Sequence, residues 1–249
     1  MKLLLDAGNS RIKWACWEAG RIFGAGAAAY GDAPDAAIAR ALDAPEAVPG
    51  AVLAANVAGA RIGDLLSTAV RTRWSTDVQY ARTERAAGEL VNGYDDPSQM
   101  GVDRWLAMVA AWGAGGAPVC VVDAGTAVTC DLIEADGAHL GGYIVPGLDL
   151  MSESLRRGTG NIAQFAGRRE EAASGAPEPA RDTNGAIRAG ALMAVAGLID
   201  RSLCQFSSPA GSPRLILTGG HAERVRATIG GSVEHRPLLV LEGLAARLA

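Results

Sequence analysis

The chain has 249 residues, of which 49% are hydrophobic and 20% are charged, and its formal net charge at pH 7 is −4. This length accommodates one large domain or two smaller ones, and the hydrophobic fraction is sufficient for a substantial core. No block of Lys and Arg occurs in the sequence. Composition therefore argues against a nucleic-acid-binding protein.

The cysteines and the apolar segments predict a soluble, cytoplasmic protein. All four cysteines lie in apolar stretches without a C-x-x-C pair, so we expect buried free thiols in a reducing compartment. The apolar run before Asp6 is too short for a signal peptide. Residues 105–122 carry no charge, but GAGGAP interrupts them. We therefore predict a helix, a loop and a buried strand there rather than a membrane span.

One phrase occurs near the start of each half of the chain. Residues 3–24 read LLLDAGNSRIKWACWEAGRIFG, and residues 119–142 read VCVVDAGTAVTCDLIEADGAHLGG. In each copy an apolar run ends in Asp, a Gly permits a sharp turn, and a second apolar stretch follows. Both copies therefore predict a β-hairpin with a carboxylate at the mouth of its turn.

Such a turn suits the binding of a polyphosphate. Backbone N–H groups of a Gly-containing turn bind phosphate oxygens, and a carboxylate holds a metal ion or its water. The alternative is that D-A-G is a common tripeptide in a chain rich in Ala and Gly, but its repetition in matched strand contexts favours a duplicated fold. The G-x-x-x-x-G-K-[ST] motif is absent, which excludes a P-loop enzyme at the level of motifs.

Residues 92–112, NGYDDPSQMGVDRWLAMVAAW, combine a loop with the start of a helix. An apolar helical face follows from Trp105, Met108, Val109 and Trp112. In its first turn, Asp103 is compatible with simple helix-dipole stabilisation, but Arg104 gains nothing from that dipole. The adjacent Asp–Arg pair behind a Gly therefore favours a functional site.

Two later segments leave alternatives open. Thr183 or Asn184, before a long helical pattern, is compatible with an ordinary helix N-cap. LILTGG at residues 215–220 predicts a strand that ends either in a tight turn or in a close approach of the backbone to a base or ribose. The three histidines show no ligand spacing.

Five of these motifs occur together in one known order. The sequence resembles type III pantothenate kinases in DAGNSRIK, GVDR, DAGTAVTCD, GGYIVPGL and TGG, from residue 3 to about residue 243. The resemblance implies an α/β fold of two duplicated ribonuclease-H-like subdomains, as in actin-like ATPases, with a nucleotide cleft between them. The expected subdomains are residues 1–115 and 116–249.

The resemblance also implies roles for individual residues. Asp103 would be the general base, Asp6 would approach Mg²⁺ through water, and Asp123 would help to bind a monovalent cation such as K⁺ or NH₄⁺. The implied ATP-binding residues are Asp6, Ala7, Gly8, Asn9, Ser10, Arg11, Ile12, Lys13 and Thr126. The implied pantothenate-binding residues are Tyr94, Gly101, Val102, Asp103, Arg104 and Thr183.

The activity implied is ATP-dependent phosphorylation of pantothenate to 4′-phosphopantothenate, the first step of coenzyme A biosynthesis. A homodimer is implied as well, with GGYIVPGL and the long helix after Thr183 as candidate interface segments, and neither nucleic acid nor a membrane is an expected partner. Two alternatives are a kinase of the same fold for another small hydroxyl compound and a nucleotide-binding regulatory protein. Retention of Asp6, Asp103 and Asp123 argues against the regulatory protein.

Overall fold

A computed structural model of the chain describes residues 1–115, 118–159, 177–206 and 213–247. The chain forms two compact units, of which the first comprises residues 1–115 with 238–249 and the second comprises residues 116–237. Each unit contains one five-stranded mixed sheet with helices. The fold class is therefore α/β with two sheet-and-helix subdomains.

The first unit is built on a sheet with the strand order β3-β2-β1-β4-β5. Strands β1, β2 and β3 form antiparallel pairs, whereas β4 and β5 continue the sheet in parallel from β1. Its strands are β1 (Lys2–Ala7), β2 (Arg11–Glu18), β3 (Arg21–Ala29), β4 (Val52–Asn56) and β5 (Val78–Tyr80), with a separate small hairpin of β6 (Ala86–Ala87) and β7 (Leu90–Val91). Its helices are α1 (Pro34–Leu42), α2 (Ala60–Trp74), α3 (Val102–Gly113) and, from the end of the chain, α7 (Leu239–Ala246), with a 3₁₀ turn at Pro97–Gln99.

The second unit repeats this arrangement. Its sheet has the order β10-β9-β8-β11-β12, in which β8, β9 and β10 form antiparallel pairs and β11 and β12 run parallel to β8. The strands are β8 (Val119–Ala124), β9 (Ala127–Ile133), β10 (His139–Pro146), β11 (Arg214–Thr218) and β12 (Val233–His235). The helices are α4 (Leu148–Gly158), α5 (Thr183–Phe206) and α6 (Ala222–Arg226).

The repeated phrase forms the central part of each sheet. Strands β1 and β8 are paired on both sides, and their apolar residues are almost completely buried. A strand enclosed in this way reads as a continuous apolar run. Asp6 and Asp123 occupy the same place, one residue before the end of β1 and β8. Both predicted hairpins are thus confirmed.

The last helix, α7, lies with the first unit, whereas the sequence-based division places residues 116–249 together. The reason is the close packing of α7 on α3. A Cβ atom at Gly243 would overlap the backbone carbonyl oxygen of Leu106 and would lie 2.6 Å from its carbonyl carbon. Leu239, Leu241 and Leu244 are fully buried beside this contact.

Two further expectations change at the level of single residues. Cys16, Cys120 and Cys130 are buried as predicted, but Cys204 is exposed on α5. Neither Thr183 nor Asn184 is the N-cap of α5, because the Asp182 carboxylate accepts the Gly185 amide hydrogen bond at 2.8 Å and the helix begins at Thr183.

Among the described residues, none of the helices has the length and apolar character needed to cross a membrane.

Candidate active site

The turn of the first hairpin presents a short exposed segment at the end of β1. Asn9, Ser10 and Arg11 are exposed, and the Gly8 amide donates to the Arg11 carbonyl oxygen at 3.1 Å to close the turn. The Ser10 carbonyl oxygen accepts a hydrogen bond from the Tyr30 amide at 3.0 Å, which fixes the turn to the end of β3. Small residues in a fixed turn leave backbone donors accessible to an anion.

Asp6 is a buried carboxylate at the base of this turn. Its side chain faces Lys13, because the two residues lie directly opposite each other in the β1–β2 ladder. Asp6 also lies close to the Tyr30 phenol. Burial, and to a smaller extent the charge of Asp6, raises the pKa of Tyr30 to about 12.

Two of the expected ATP-binding residues have side chains in the core. Ala7 and Ile12 are fully buried and belong to the apolar cluster of the first unit. Only their backbone groups are therefore candidates for contact with a nucleotide, and the Ala7 carbonyl oxygen already accepts a hydrogen bond from the Val57 amide at 3.0 Å.

The GVDR motif forms the start of α3, as predicted. Gly101 precedes the helix, and the Arg104 amide donates to Oδ1 of Asp103 at 2.8 Å. A Cβ atom at Gly101 would lie 2.6 Å from Oδ1 of Asp103 and 3.9 Å from the Val57 side chain. Gly is therefore required for this position of the carboxylate.

Arg104 is a buried cation whose guanidinium contacts Tyr94. Its Nη1 donates to the Tyr94 hydroxyl at 2.8 Å, and its Cζ lies 5.5 Å from the centroid of the tyrosine ring. The structure thus brings Tyr94, Gly101, Asp103 and Arg104 together. Val102 belongs to the same motif, and its side chain is buried.

Val57 connects this cluster to the first hairpin. Its amide bonds to Ala7 at the end of β1, and its side chain is the neighbour of Gly101. Val57 could not be recognised from the sequence, because an apolar residue after a strand carries no chemical signal of its own. The proposed base and the proposed phosphate turn are therefore neighbours within one unit.

In the second unit, Asp123 lies in an environment rich in oxygen atoms. In register it faces Thr129 on β9 and Thr218 on β11, so three oxygen-bearing side chains line one face of the sheet. Thr218 is completely buried, and its hydroxyl has no hydrogen-bond partner among the described residues. Neither threonine stands out as a functional residue in the sequence, although the TGG motif places Thr218 at the end of a strand.

Glycines bring the backbone close to this second turn. Gly219 has a φ of +97°, and a Cβ atom there would overlap Oδ1 of Asp123. Gly147, which precedes α4, donates its amide to the Thr126 carbonyl oxygen at 2.9 Å, and a Cβ atom on it would overlap the turn at Gly125. Thr126 itself is exposed.

Thr183 is an exposed residue of the second unit, at the first position of α5. It lines an apolar groove of about 600 Å³ between α4 and α5. Met151, Leu155 and Ile187 contribute most of the large apolar side chains of this groove. Its contact with a substrate remains a prediction from the resemblance.

The described residues contain no group of three or more His, Cys, Asp and Glu side chains that could hold a metal ion. Mg²⁺ is commonly bound by only one or two protein carboxylates, with waters and substrate phosphates completing its shell. The buried carboxylate of Asp6 is compatible with that mode of binding. The hydroxyl and carboxylate oxygens around Asp123 are compatible with a hard monovalent cation.

Known proteins share both the sequence and the fold. A sequence model described as type III pantothenate kinase matches residues 2–205. The type III pantothenate kinase of Halorhodospira halophila is 39% identical over 257 aligned residues, which cover 98% of this chain and 96% of that protein. The type III pantothenate kinase of Thiobacillus denitrificans is 38% identical, with 98% and 94% of the two chains covered. The chain belongs to the type III pantothenate kinase family.

Membership of the type III pantothenate kinase family confirms the resemblance drawn from the five motifs. The fold extends to more distant proteins. The activator of 2-hydroxyisocaproyl-CoA dehydratase from Clostridium difficile, whose structure was solved with bound ADPNP, superposes with a TM-score of 0.56. The two sequences are 11% identical, and 99% of this chain and 93% of the other are covered. At that identity the likeness concerns the fold alone.

Proposed function

We propose that this type III pantothenate kinase transfers the γ-phosphate of ATP to the primary hydroxyl of pantothenate, which yields 4′-phosphopantothenate and ADP in the first step of coenzyme A biosynthesis. The observation that carries the proposal is the cluster of Asp103, Arg104 and Tyr94, which adjoins the β1–β2 turn through Val57. Phosphoryl transfer needs a base for the substrate hydroxyl and a phosphate-binding turn that lies close to that base.

Asp103 acts as the general base. As the substrate oxygen forms its bond to the γ-phosphorus, the bond from that phosphorus to the β–γ bridging oxygen breaks, ADP leaves, and the hydroxyl proton passes to the Asp103 carboxylate. The Arg104 amide holds Oδ1 of Asp103 at 2.8 Å, so the carboxylate is oriented before substrate binds. Preorganisation of this kind removes an entropic part of the barrier.

Arg104 and Tyr94 bind the substrate. The buried guanidinium of Arg104 supplies planar donors that match a carboxylate, which pantothenate carries. The Tyr94 hydroxyl accepts from the same guanidinium and restrains it. Gly101 and Val102 shape the pocket around Asp103, and Thr183 contributes a further contact.

The turn of each hairpin is suited to bind phosphate oxygens of ATP. Residues 9–11 supply backbone donors and the Ser10 hydroxyl in the first turn, which the Gly8 amide closes, and the exposed Thr126 supplies a hydroxyl in the second. Lys13, opposite Asp6 in register, adds a positive charge near the first turn. Positioning and charge neutralisation are the main contributions of a protein to phosphoryl transfer.

Two cations belong to this proposal. Asp6 would hold Mg²⁺ through water, and when bound the ion neutralises charge on the phosphates. Asp123, together with Thr129 and the unpartnered hydroxyl of Thr218, would hold K⁺ or NH₄⁺. The protein is further proposed to act as a homodimer in the cytoplasm, where a reducing environment suits its free thiols.

The substitution Asp103→Asn tests the proposed base. Removal of a positioned base typically costs about 10²–10⁴ in rate, so we expect turnover to fall by that factor while the melting temperature and ATP affinity are retained. The measurement is a coupled assay of ADP release with pantothenate, ATP and Mg²⁺, in the presence of K⁺, NH₄⁺ or Na⁺.

Asp64→Asn is the matched control, because Asp64 is an exposed carboxylate on α2. It should leave turnover unchanged. Retention of more than about a tenth of wild-type turnover by Asp103→Asn would reject the base. Wild-type protein that turns over another small hydroxyl compound but not pantothenate would favour the alternative kinase, and ATP binding without any turnover would favour a regulatory protein.

A further inference from the structure

The segment that carries Tyr94 has little regular structure of its own. Between β5 and the 3₁₀ turn, the only paired strands are the two-residue strands β6 and β7. A segment of this kind is positioned by side-chain hydrogen bonds to its backbone rather than by a sheet or helix. The residues that make those bonds therefore decide where the Tyr94 ring lies.

Arg85 makes three such bonds to one short stretch of backbone. Its Nη1 donates to the Tyr94 carbonyl oxygen at 2.6 Å and to the Asn92 carbonyl oxygen at 3.5 Å, and its Nη2 donates to the Asp95 carbonyl oxygen at 2.7 Å. The planar guanidinium thus binds carbonyl groups on both sides of the Tyr94 Cα atom. A lysine ammonium lacks this planar, paired arrangement of N–H donors.

Asn92 reinforces the same stretch from inside. Its amide donates to the Arg85 carbonyl oxygen at 2.9 Å, and its side-chain oxygen accepts from the Tyr94 amide at 3.0 Å. The Asn92 side-chain nitrogen lies 3.3 Å from the Glu84 carbonyl oxygen, to which it donates. Both peptide groups of Tyr94 are therefore held by residues 84–92.

A second anchor joins this stretch to the end of the chain. The Arg247 guanidinium forms two hydrogen bonds with the two Glu84 carboxylate oxygens, one of them at 2.7 Å. These bonds from Arg247 lower the pKa of Glu84, so the pair is ionised at neutral pH. Arg247 directly follows α7, which packs on α3 where Gly243 meets Leu106.

We infer that Arg85 is a positioning residue of the substrate site, which fixes the backbone at Tyr94 and thereby the contact of the Tyr94 hydroxyl with Arg104, and that the Glu84–Arg247 pair anchors it to α7. The identity of the substrate in this inference rests on the proposed function. The positioning itself rests only on contacts within the first unit.

The test uses the full-length variants Arg85→Ala, Arg85→Lys and Glu84→Gln, with Arg71→Ala as the matched control. Arg71 is likewise an exposed arginine held by hydrogen bonds, in its case to the Asp77 carboxylate, but it lies on α2 and not beside Tyr94. We expect Arg85→Ala to raise the KM for pantothenate about tenfold, since small displacements of positioning groups are costly. The KM for ATP should stay within about twofold.

Arg85→Lys should reverse less than half of the rise in the KM for pantothenate, because it keeps the charge but not the planar guanidinium donors. Glu84→Gln should raise the KM for pantothenate by less than Arg85→Ala does. Arg71→Ala should change neither constant. Equal rises of both KM values in Arg85→Ala, or an unchanged KM for pantothenate, would overturn the inference.

Hydrogen exchange separates this inference from the proposed function. We expect faster exchange of the peptide that contains the Tyr94 amide in Arg85→Ala, and no change in Arg71→Ala. Unchanged exchange in Arg85→Ala would reject the positioning role even if pantothenate is the substrate. A different outcome is faster exchange in Arg85→Ala together with a wild-type protein that does not turn over pantothenate. That result would support the positioning role and reject the proposed substrate.

Discussion

Two tyrosines of the first unit differ in the surroundings of their hydroxyl groups. The Tyr80 hydroxyl donates to the Gly63 carbonyl oxygen at 2.8 Å and lies 2.9 Å from the Ser67 hydroxyl. The Tyr30 hydroxyl is buried and has no hydrogen-bond partner in the part of the chain that the structure describes. A buried hydroxyl without a partner carries a desolvation cost that nothing offsets.

We therefore predict that Tyr30→Phe leaves the free energy of unfolding within about 0.5 kcal/mol of wild type, or raises it, whereas Tyr80→Phe lowers it by about 1 kcal/mol. Each variant removes one oxygen atom, so each is the control for the other. Urea unfolding followed by tryptophan fluorescence measures both. A loss of more than about 1.5 kcal/mol in Tyr30→Phe would show that this hydroxyl has a stabilising partner.

The pH dependence of the same variant provides a second readout. Burial raises the pKa of Tyr30 to about 12, and the nearby charge of Asp6 adds to the shift. The unfolded chain loses this proton near pH 10, whereas the folded chain keeps it until about pH 12, so the stability of the wild type falls as pH rises through this interval. Tyr30→Phe should therefore lose less stability than wild type over this interval.

At the scale of elements, the contact between α7 and α3 depends on one glycine. Gly243 allows the two helix backbones to approach so closely that a Cβ atom would overlap the Leu106 carbonyl group. Displacement of either backbone would cost free energy, because both helices are buried along this contact. Close packing of this kind transmits strain rather than absorbing it.

We predict that Gly243→Ala lowers the free energy of unfolding by at least about 2 kcal/mol, since the added methyl group forces the helices apart. Gly197→Ala on α5 is the control, because Gly197 is exposed and has no atom within 4 Å of the added Cβ atom. It should raise stability by about 0.5–1 kcal/mol through helix propensity. Equal effects of the two substitutions would contradict the packing argument.

At the scale of the whole molecule, the second unit exposes several large apolar side chains. Those on β10, α4 and α5 are Leu140, Tyr143, Ile144, Leu150, Leu155 and Met193. The proposed homodimer would cover Tyr143, Ile144 and Met193, because these three lie in its two candidate interface segments. The surface of the first unit offers a suitable comparison, since Phe23 is exposed on β3, the strand that corresponds to β10.

We predict that Ile144→Lys converts a dimer into a monomer, because a buried, unpaired ammonium group is strongly unfavourable at an apolar interface. Ile144 is 59% exposed, so the substitution should not impair folding of the subunit. Phe23→Lys should leave the assembly unchanged. Sedimentation velocity measures the mass of both variants, and a dimer that survives in Ile144→Lys would place the interface elsewhere.

The fold of each half could be predicted because its signals are local. An apolar run that ends in Asp-Ala-Gly specifies a buried strand and a tight turn, and both copies form that hairpin. Asp103 and Arg104 lie in the first turn of α3 for a similar reason, since loop residues followed by a helical apolar face mark a helix start. The family followed from the order of such local motifs.

Only the tertiary structure decided which distant residues meet. Glu84 and Arg247 are 163 positions apart, and no pattern along the chain links them. The same holds for α7, whose apolar residues indicate burial but not that α3 is the partner. Sequence periodicity reports the environment of a residue, whereas the identity of its partner depends on how the elements pack. The sequence by itself therefore determined the hairpins, the carboxylates and the family, and tertiary packing determined the positioning of Tyr94 and the placement of the last helix.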